Sequence, residues 1–496
     1  MRGTRRESTV PSSVVAHLID GQQRLSQSGK TFASVEPATG ETIAEVALGE
    51  AGDVDAAATA AARAYHDGRW YHLAPAERAA RLRRVADLIT DQTEQIALTE
   101  SRDSGAPIGK TRGDVAAAAA AFTYFAQLPE HVAGRTYATD PGYLLYSRRE
   151  PYGVVGAIAP WNFPFLLAAW KAAPALAVGN SVVLKMAEQT PLSTALLGSI
   201  CAEAGIPDGV LNIVHGDGAT GAALVRHPLV DKITFTGSTP VGRSILRESA
   251  EQIKSVHLEL GGKSPSIVFA DADLDQAVDG SLFTSFFNSG QVCTSSSRIL
   301  VQAGIADEFR RAFVARAEQL VVGDPLDEAT QLGPLVSKAQ QDRVGGYLRA
   351  GRDAGAEVLT GGADPDPQRA GFFVTPTVFT SVDETMSIAR EEIFGPVATI
   401  MTFDDEDEAV RLANDTEYGL AATVWTTELA RAIRVSERLQ AGIIWTNCPN
   451  HGQWNVPYEG HKLSGLGEDK GLECINTFTH LKTHHVNFGG HRYNWA

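Results

Sequence analysis

The chain has little cysteine: Cys201, Cys293, Cys448 and Cys474 are the only four in 496 residues. They are widely scattered and none forms a CxxC pair, which excludes a disulfide scaffold and fits a reduced cytosol. Long apolar runs are also missing. None reaches the roughly 18 residues that a membrane span needs, and the alanine stretch from Ala116 to Ala121 reads as buried helix. Basic residues are in deficit, and the formal net charge of −16 argues against sequence-independent nucleic-acid binding. Met1 to Arg6 carry three arginines but no apolar stretch, and Glu7 weakens a transit-peptide reading. A mobile N-terminal tail and a cytoplasmic location are therefore expected. No internal repeat or low-complexity linker interrupts the chain.

What is present is ordinary globular material, with 44% hydrophobic and 21% charged residues. The length exceeds one compact core, so two or three domains are expected. Residues 17–50 read as short strands and turns, and Ala51 to about Leu128 as Ala-rich helices. Tyr143 to Arg149 alternates like an exposed strand, able to pair with another segment or another subunit. The middle third has the clearest rhythm. The apolar run Val154–Ile158 precedes a helix to Val178, Ser181–Lys185 is the next strand, and a helix from Pro191 to Ala204 follows. Strands at Val210–Val214, Lys232–Phe235 and Ser255–Leu260 extend the alternation, which predicts βαβ units and a parallel sheet. From Ser264 the alternation resumes as a second α/β domain, and Asn476–Val486 looks like a terminal strand.

Phe286-Phe287-Asn288-Ser289-Gly290-Gln291-Val292-Cys293 ends in a thiol that can add to a carbonyl carbon and hold the product as a thioester. Gly290 frees the backbone just before it. A lone cysteine is more often a small apolar core residue, so its surroundings decide. The turn Thr236-Gly237-Ser238-Thr239-Pro240-Val241-Gly242 follows a strand and opens a helix, where backbone N–H groups can receive a pyrophosphate. It is not GxGxxG, and a plain strand–helix turn is the alternative; Gly216-Asp217-Gly218 with Gly221 is a second such turn. Lys185 and Glu188 stand at a strand end, placed either to bind ribose hydroxyls or as a surface ion pair. Glu188 would repel a 2′-phosphate. Glu259, at a strand end before Gly261-Gly262, can act as general base if an apolar cleft raises its pKa. The Asn162 amide and the Cys293 N–H can hold an oxyanion, although Asn162 also suits a plain turn between two prolines. Glu392 and Phe394 could hold a second ribose and a nicotinamide, or form a strand edge.

Together Pro160–Pro164, Lys185–Pro191, Phe235–Gly242, Glu259–Ser264, Phe286–Cys293 and Glu391–Val397 resemble the NAD(P)-dependent aldehyde dehydrogenases, in that family's order and spacing. The resemblance covers about residues 30–485. It implies an α/β fold with a Rossmann-type NAD domain (1–128 and 152–263) and an α/β catalytic domain (264–463). A small β oligomerisation element (129–151 and 464–496) would make homodimers or homotetramers. It further implies Cys293 as nucleophile, Glu259 as base and Asn162 as oxyanion donor. NAD would be held by Ile158, Trp161, Lys185, Glu188, Gly218, Phe235, Gly237, Ser238, Val241, Leu260, Glu392 and Phe394, with no metal. The substrate tunnel would be walled by Phe163, Trp170, Phe287 and Tyr458, with Trp454 close by.

The partner would be a small aldehyde, with neither nucleic acid nor membrane. Four aromatic rings without a matching arginine suit an apolar aliphatic or aromatic aldehyde and argue against a second carboxylate. A betaine aldehyde or aminoaldehyde is the alternative, through cation–π contact. One departure is local: Glu459-Gly460-His461 stands where the family usually has Gly-Gly after Pro457-Tyr458, and Glu459 would attract a cation if it faced the tunnel. Three rivals remain. A thiol hydrolase would want a partner histidine that no motif supplies, and a non-catalytic relative would have lost residues that are present. An acyl-CoA-forming enzyme would generally lack the glutamate at 259.

Overall fold

The computed structural model describes residues 14–490; the tail expected at Met1–Arg6 lies outside them. The first sheet grows around Val154–Ala159 and Ser181–Met186, in which every residue is buried. Such continuous burial belongs to parallel strands covered on both faces. Its parallel strands run in the order Leu211–Ile213, Ser181–Met186, Val154–Ala159, Lys232–Thr236, Ser255–Glu259. The strand first in sequence is therefore central, and the connections turn outward in opposite directions from it. At that reversal, between Val154–Ala159 and Lys232–Thr236, an open α/β sheet offers a crevice outside its carboxyl ends. Helices Pro164–Ala177 and Ala51–His66 pack against the sheet, and helices Pro75–Asp91 and Ile108–Phe125 pack on Pro164–Ala177.

The second sheet repeats the plan. Pro265–Val268 is its first parallel strand in sequence and lies between Arg298–Gln302 and Ala421–Trp425. Val397–Phe403, Thr377–Thr380 and Ile443–Thr446 extend it in parallel, and Glu357–Thr360 closes one edge antiparallel.

The chain ends bind these units together. Tyr143–Pro151 pairs antiparallel with Thr479–Asn487, from Pro151 opposite Thr479 to Tyr143 opposite Asn487, and Arg135–Tyr137 completes a three-stranded sheet. Gly465–Leu466 pairs with Ser255–Glu259 and so extends the first sheet before the chain crosses to this third one. No helix among the described residues is long and apolar enough to cross a membrane.

Asn180, fully buried, is the tie between the first sheet and the C-terminal segment. Its Oδ1 accepts from the Gly153 N–H (3.1 Å), and its Nδ2 donates to the carbonyls of Ala175 (3.1 Å) and Phe478 (3.0 Å). Asn180→Ala strands buried backbone groups at about 1–3 kcal/mol each, so it should lower the thermal unfolding midpoint. A midpoint equal to the wild type's would refute this assignment.

Candidate active site

The thiol loop leaves helix Leu274–Phe286 through three left-handed residues, Asn288 (φ 52°), Ser289 (φ 55°) and Gly290 (φ 72°). Asparagine tolerates that region best among residues with a Cβ, and a Cβ on Gly290 would stand 2.1 Å from the Gly395 carbonyl oxygen. Only glycine fits there. The strain is held by hydrogen bonds to distant segments. Ser289 Oγ donates to the Gly333 carbonyl (2.8 Å), Asn288 Nδ2 to the Asn162 carbonyl (3.0 Å), and the Val336 N–H to Gln291 Oε1 (3.0 Å).

Cys293 is half-buried at the end of this loop, with Sγ 3.7 Å from the Tyr458 hydroxyl. Burial pushes its thiol pKa up to about 12, the Tyr458 hydroxyl opposes this, and the charge on Glu259 adds to it. The thiol form is thus the resting state. Asn162 lies across from it in the turn after Val154–Ala159. Its Nδ2 donates to the Gln291 carbonyl (2.9 Å), and its own carbonyl accepts from Lys110 Nζ (2.9 Å). An amide carries two N–H donors, so the second remains for a ligand in the cavity that Asn162 lines.

Glu259, at the end of its strand, is buried, and burial raises its pKa well above the carboxylate range. Asp469 adds to the rise, while Lys171 opposes it. Lys171 Nζ donates to Thr234 Oγ1 (3.2 Å), leaving the Thr234 hydroxyl to donate to His257 Nδ1 (2.9 Å). His257 Nε2 then faces Glu259 (3.9 Å) and Asp469 (3.8 Å). Burial drives the His257 pKa far down, so these are contacts of a neutral ring. The ligand atoms of His257, Glu259 and Asp469 lie within 4.8 Å of one another. Lys171, Lys232 and Lys470 act on the same carboxylates, so the cluster is better equipped for proton exchange than for a cation.

A cavity of about 710 Å³ joins these groups. Asn162, Glu259 and Cys293 line it together with Phe163, Trp170, Phe287 and Tyr458, and with Trp161, Gly237, Ser238, Leu260, Glu392 and Phe394. Trp454 stands behind this wall, edge-on to Trp170 (5.5 Å) and Phe125 (5.8 Å). Glu459 does not line the cavity either: its strand pairs it with Glu468. Ile158, Phe235, Val241, Lys185, Glu188 and Gly218 lie outside the cavity. Ile158 is paired with Lys185 in neighbouring strands, Lys185 Nζ is 3.5 Å from Glu188, and Gly218 opens the next helix but one. Among the lining residues that sequence reasoning missed are the charged side chains Asp469, Lys470 and Arg343. For Asp469 and Lys470 the only signal was an acidic–basic pair near the chain end.

The residues at the crevice fit a dinucleotide. Ser238 occupies the N-cap of helix Thr239–Ala250, yet its side chain caps nothing, so the helix's first turn is open toward a ligand. Gly237 lets the turn approach closely, since a Cβ there would stand 2.4 Å from the Phe235 ring. Glu392 accepts from the Gly262 N–H (3.0 Å), and the Phe394 ring meets that of Trp161 at 5.1 Å.

The family model described as "Aldehyde dehydrogenase family" matches residues 24–484. The chain belongs to the aldehyde dehydrogenase family. An aldehyde dehydrogenase of Emericella nidulans is 46% identical over 463 residues, 93% of each chain. A betaine aldehyde dehydrogenase from Staphylococcus aureus, solved in complex with NAD+, superposes with a TM-score of 0.96 at 35% identity, covering 99% of both chains. An indole-3-acetaldehyde dehydrogenase from P. syringae, also in complex with NAD+, gives a TM-score of 0.94 at 41% identity, over 95% of this chain and 96% of that one. This dehydrogenase thus has the α/β architecture and the oxidoreductase class of its family.

Burial raises the pKa of both the Cys293 thiol and the Glu259 carboxyl, so low pH holds both in their protonated, neutral forms. kcat/KM for hexanal should therefore climb from about pH 7 to about pH 9. A profile that falls across that range would contradict the burial of these two groups.

Proposed function

We propose that the protein oxidises an aldehyde to its carboxylic acid, with NAD as acceptor and a thioester on Cys293 as intermediate. The observation that carries this reading is one cavity lined at once by Cys293, Glu259, Asn162 and the dinucleotide-type turn Thr236–Pro240. Cys293 releases its proton to solvent, and its sulfur bonds to the carbonyl carbon, sending the π pair to oxygen. Asn162 Nδ2 and the Cys293 N–H hold that oxygen. NAD, when bound, supplies the acceptor for the hydride leaving the same carbon. The carbonyl re-forms as a thioester. Glu259 takes a proton from water, whose oxygen attacks the thioester carbon, and the carbon–sulfur bond breaks to return Cys293 and release the carboxylate. The raised pKa of Glu259, which follows from its burial, suits a base that must take a proton from water.

The substrate class is read from the wall. Phe163, Trp170, Phe287 and Tyr458, joined by Leu166 and Leu167, favour an uncharged aliphatic or aromatic aldehyde. Betaine aldehyde is the second reading, favoured by the ring cluster and by the S. aureus relative's substrate. Exposed Tyr137, Leu144, Leu481 and Val486 on the three-stranded sheet support assembly of copies through that surface.

NADH absorbance with hexanal, benzaldehyde, betaine aldehyde and succinic semialdehyde tests the reading. Hexanal or benzaldehyde should give the highest kcat/KM, and Cys293→Ser should abolish NADH formation while keeping NAD binding. Substantial turnover by that variant ends the proposed mechanism.

Cofactor choice follows from Glu188, which stands 3.5 Å from Lys185 Nζ beyond the Ser181–Met186 strand. Its charge would repel a 2′-phosphate, so kcat/KM should be higher with NAD than with NADP. A clear NADP preference would show that Glu188 does not face the ribose.

A further inference from the structure

The aromatic wall already contains a cation. Lys470 lines the cavity, and its Nζ lies 4.2 Å from the Trp170 ring centroid and 5.1 Å from those of Trp454 and Tyr458. All three fall within the roughly 6 Å over which a ring face attracts a cation. The rings also support one another, with Trp170 edge-on to both Tyr458 (5.4 Å) and Trp454 (5.5 Å). The backbone is shaped to deliver this side chain. Tyr458 pairs with Asp469, so Lys470 follows directly opposite the Tyr458 strand, and it is held at φ 58°. A left-handed lysine is uncommon and persists only where its surroundings demand it. Burial lowers its pKa to about 8, and the Asp469 carboxylate opposes that shift, so the amine is still largely protonated near neutrality.

We propose that Lys470 fills the aromatic recess with the protein's own ammonium and thereby excludes aldehydes that carry a cationic group, leaving uncharged aldehydes as the substrate class. The inference rests on the aldehyde-oxidation reading above and narrows it. A trimethylammonio head entering the recess must either displace Lys470 from three rings or sit beside a like charge in a partly desolvated site. An uncharged chain incurs neither cost and keeps its contact with Phe163, Phe287 and Leu166. A substrate with a second carboxylate would meet Lys470, but Asp469 and Glu259 line the same cavity.

The test compares wild type with Lys470→Met, which keeps length without charge, and Lys470→Arg, which keeps charge. The ratio of kcat/KM for betaine aldehyde to that for hexanal should rise at least about tenfold in Lys470→Met and stay low in Lys470→Arg. Hexanal oxidation with the same ratio in all three proteins would overturn the role of Lys470 and leave aldehyde oxidation standing. Succinic semialdehyde as the best wild-type substrate would overturn the uncharged class. Tetramethylammonium binding, followed by tryptophan fluorescence, reads the recess without turnover. Lys470→Met should bind it at least about tenfold more tightly than wild type. Equal binding overturns the proposal even if no aldehyde is oxidised, an outcome that would separately end the oxidation reading.

Discussion

The thiol loop lies so close to the Gly395 carbonyl that position 290 has no room for a side chain, and the site depends on that approach. The loop bearing Cys293 is pressed between the Glu392–Phe394 segment, the Asn162 turn of the first sheet, and the 333–336 loop of the second domain. A side chain at 290 would separate loop from segment, and with them the sulfur from Glu392 and Phe394. Because each contact comes from a different part of the chain, the thiol is positioned only when both sheets are in place. The loop therefore reports on the relation between the domains as well as on its own conformation.

Around that geometry the protein has arranged a low-dielectric acid–base chamber. Glu259 and Asp469 are buried with Lys171 and Lys232 as counter-charges, and all four are shifted by burial toward their neutral forms. Neutral resting groups cost less to bury than charged ones, so burial and the neutral forms support each other. Neutral His257, between Glu259 and Asp469, gives the two carboxyl groups a common polar neighbour without adding charge.

Much of this was legible in the amino-acid sequence where function is carried by backbone form. Val154–Ile158 read as an apolar run and Ser181–Lys185 as the next strand, and their alternation with helices pointed to a parallel sheet. Thr236–Gly242 read as a strand–turn–helix because its glycines and Pro240 sit where a turn and a first helical residue need them. What was not legible depends on convergence from far apart. Trp170 comes from a helix, Trp454 from a loop and Tyr458 from a two-residue strand. Nothing local to Lys470 shows that all three rings surround it. The absence of an arginine beside the four rings argued against a second carboxylate, yet Lys470, the residue after the strand paired with Tyr458, and Arg343 both line the cavity. Glu459 illustrates the converse: adjacent to a lining residue in sequence, it is turned away by the alternation of the strand.

The return of the C-terminal segment to the first sheet also sets an order in time. Tyr458 follows Cys293 by 165 residues, and Asp469 and Lys470 come later still. At about 5–20 residues per second on a ribosome, the thiol emerges roughly 10–30 s before the wall that covers it. Through that interval neither Asp469 nor Lys470 is present beside Glu259, and the Gly465–Leu466 edge of its sheet is open. A nascent chain thus carries the thiol and Glu259 while Asp469, Lys470 and the Tyr458 wall are still to be made.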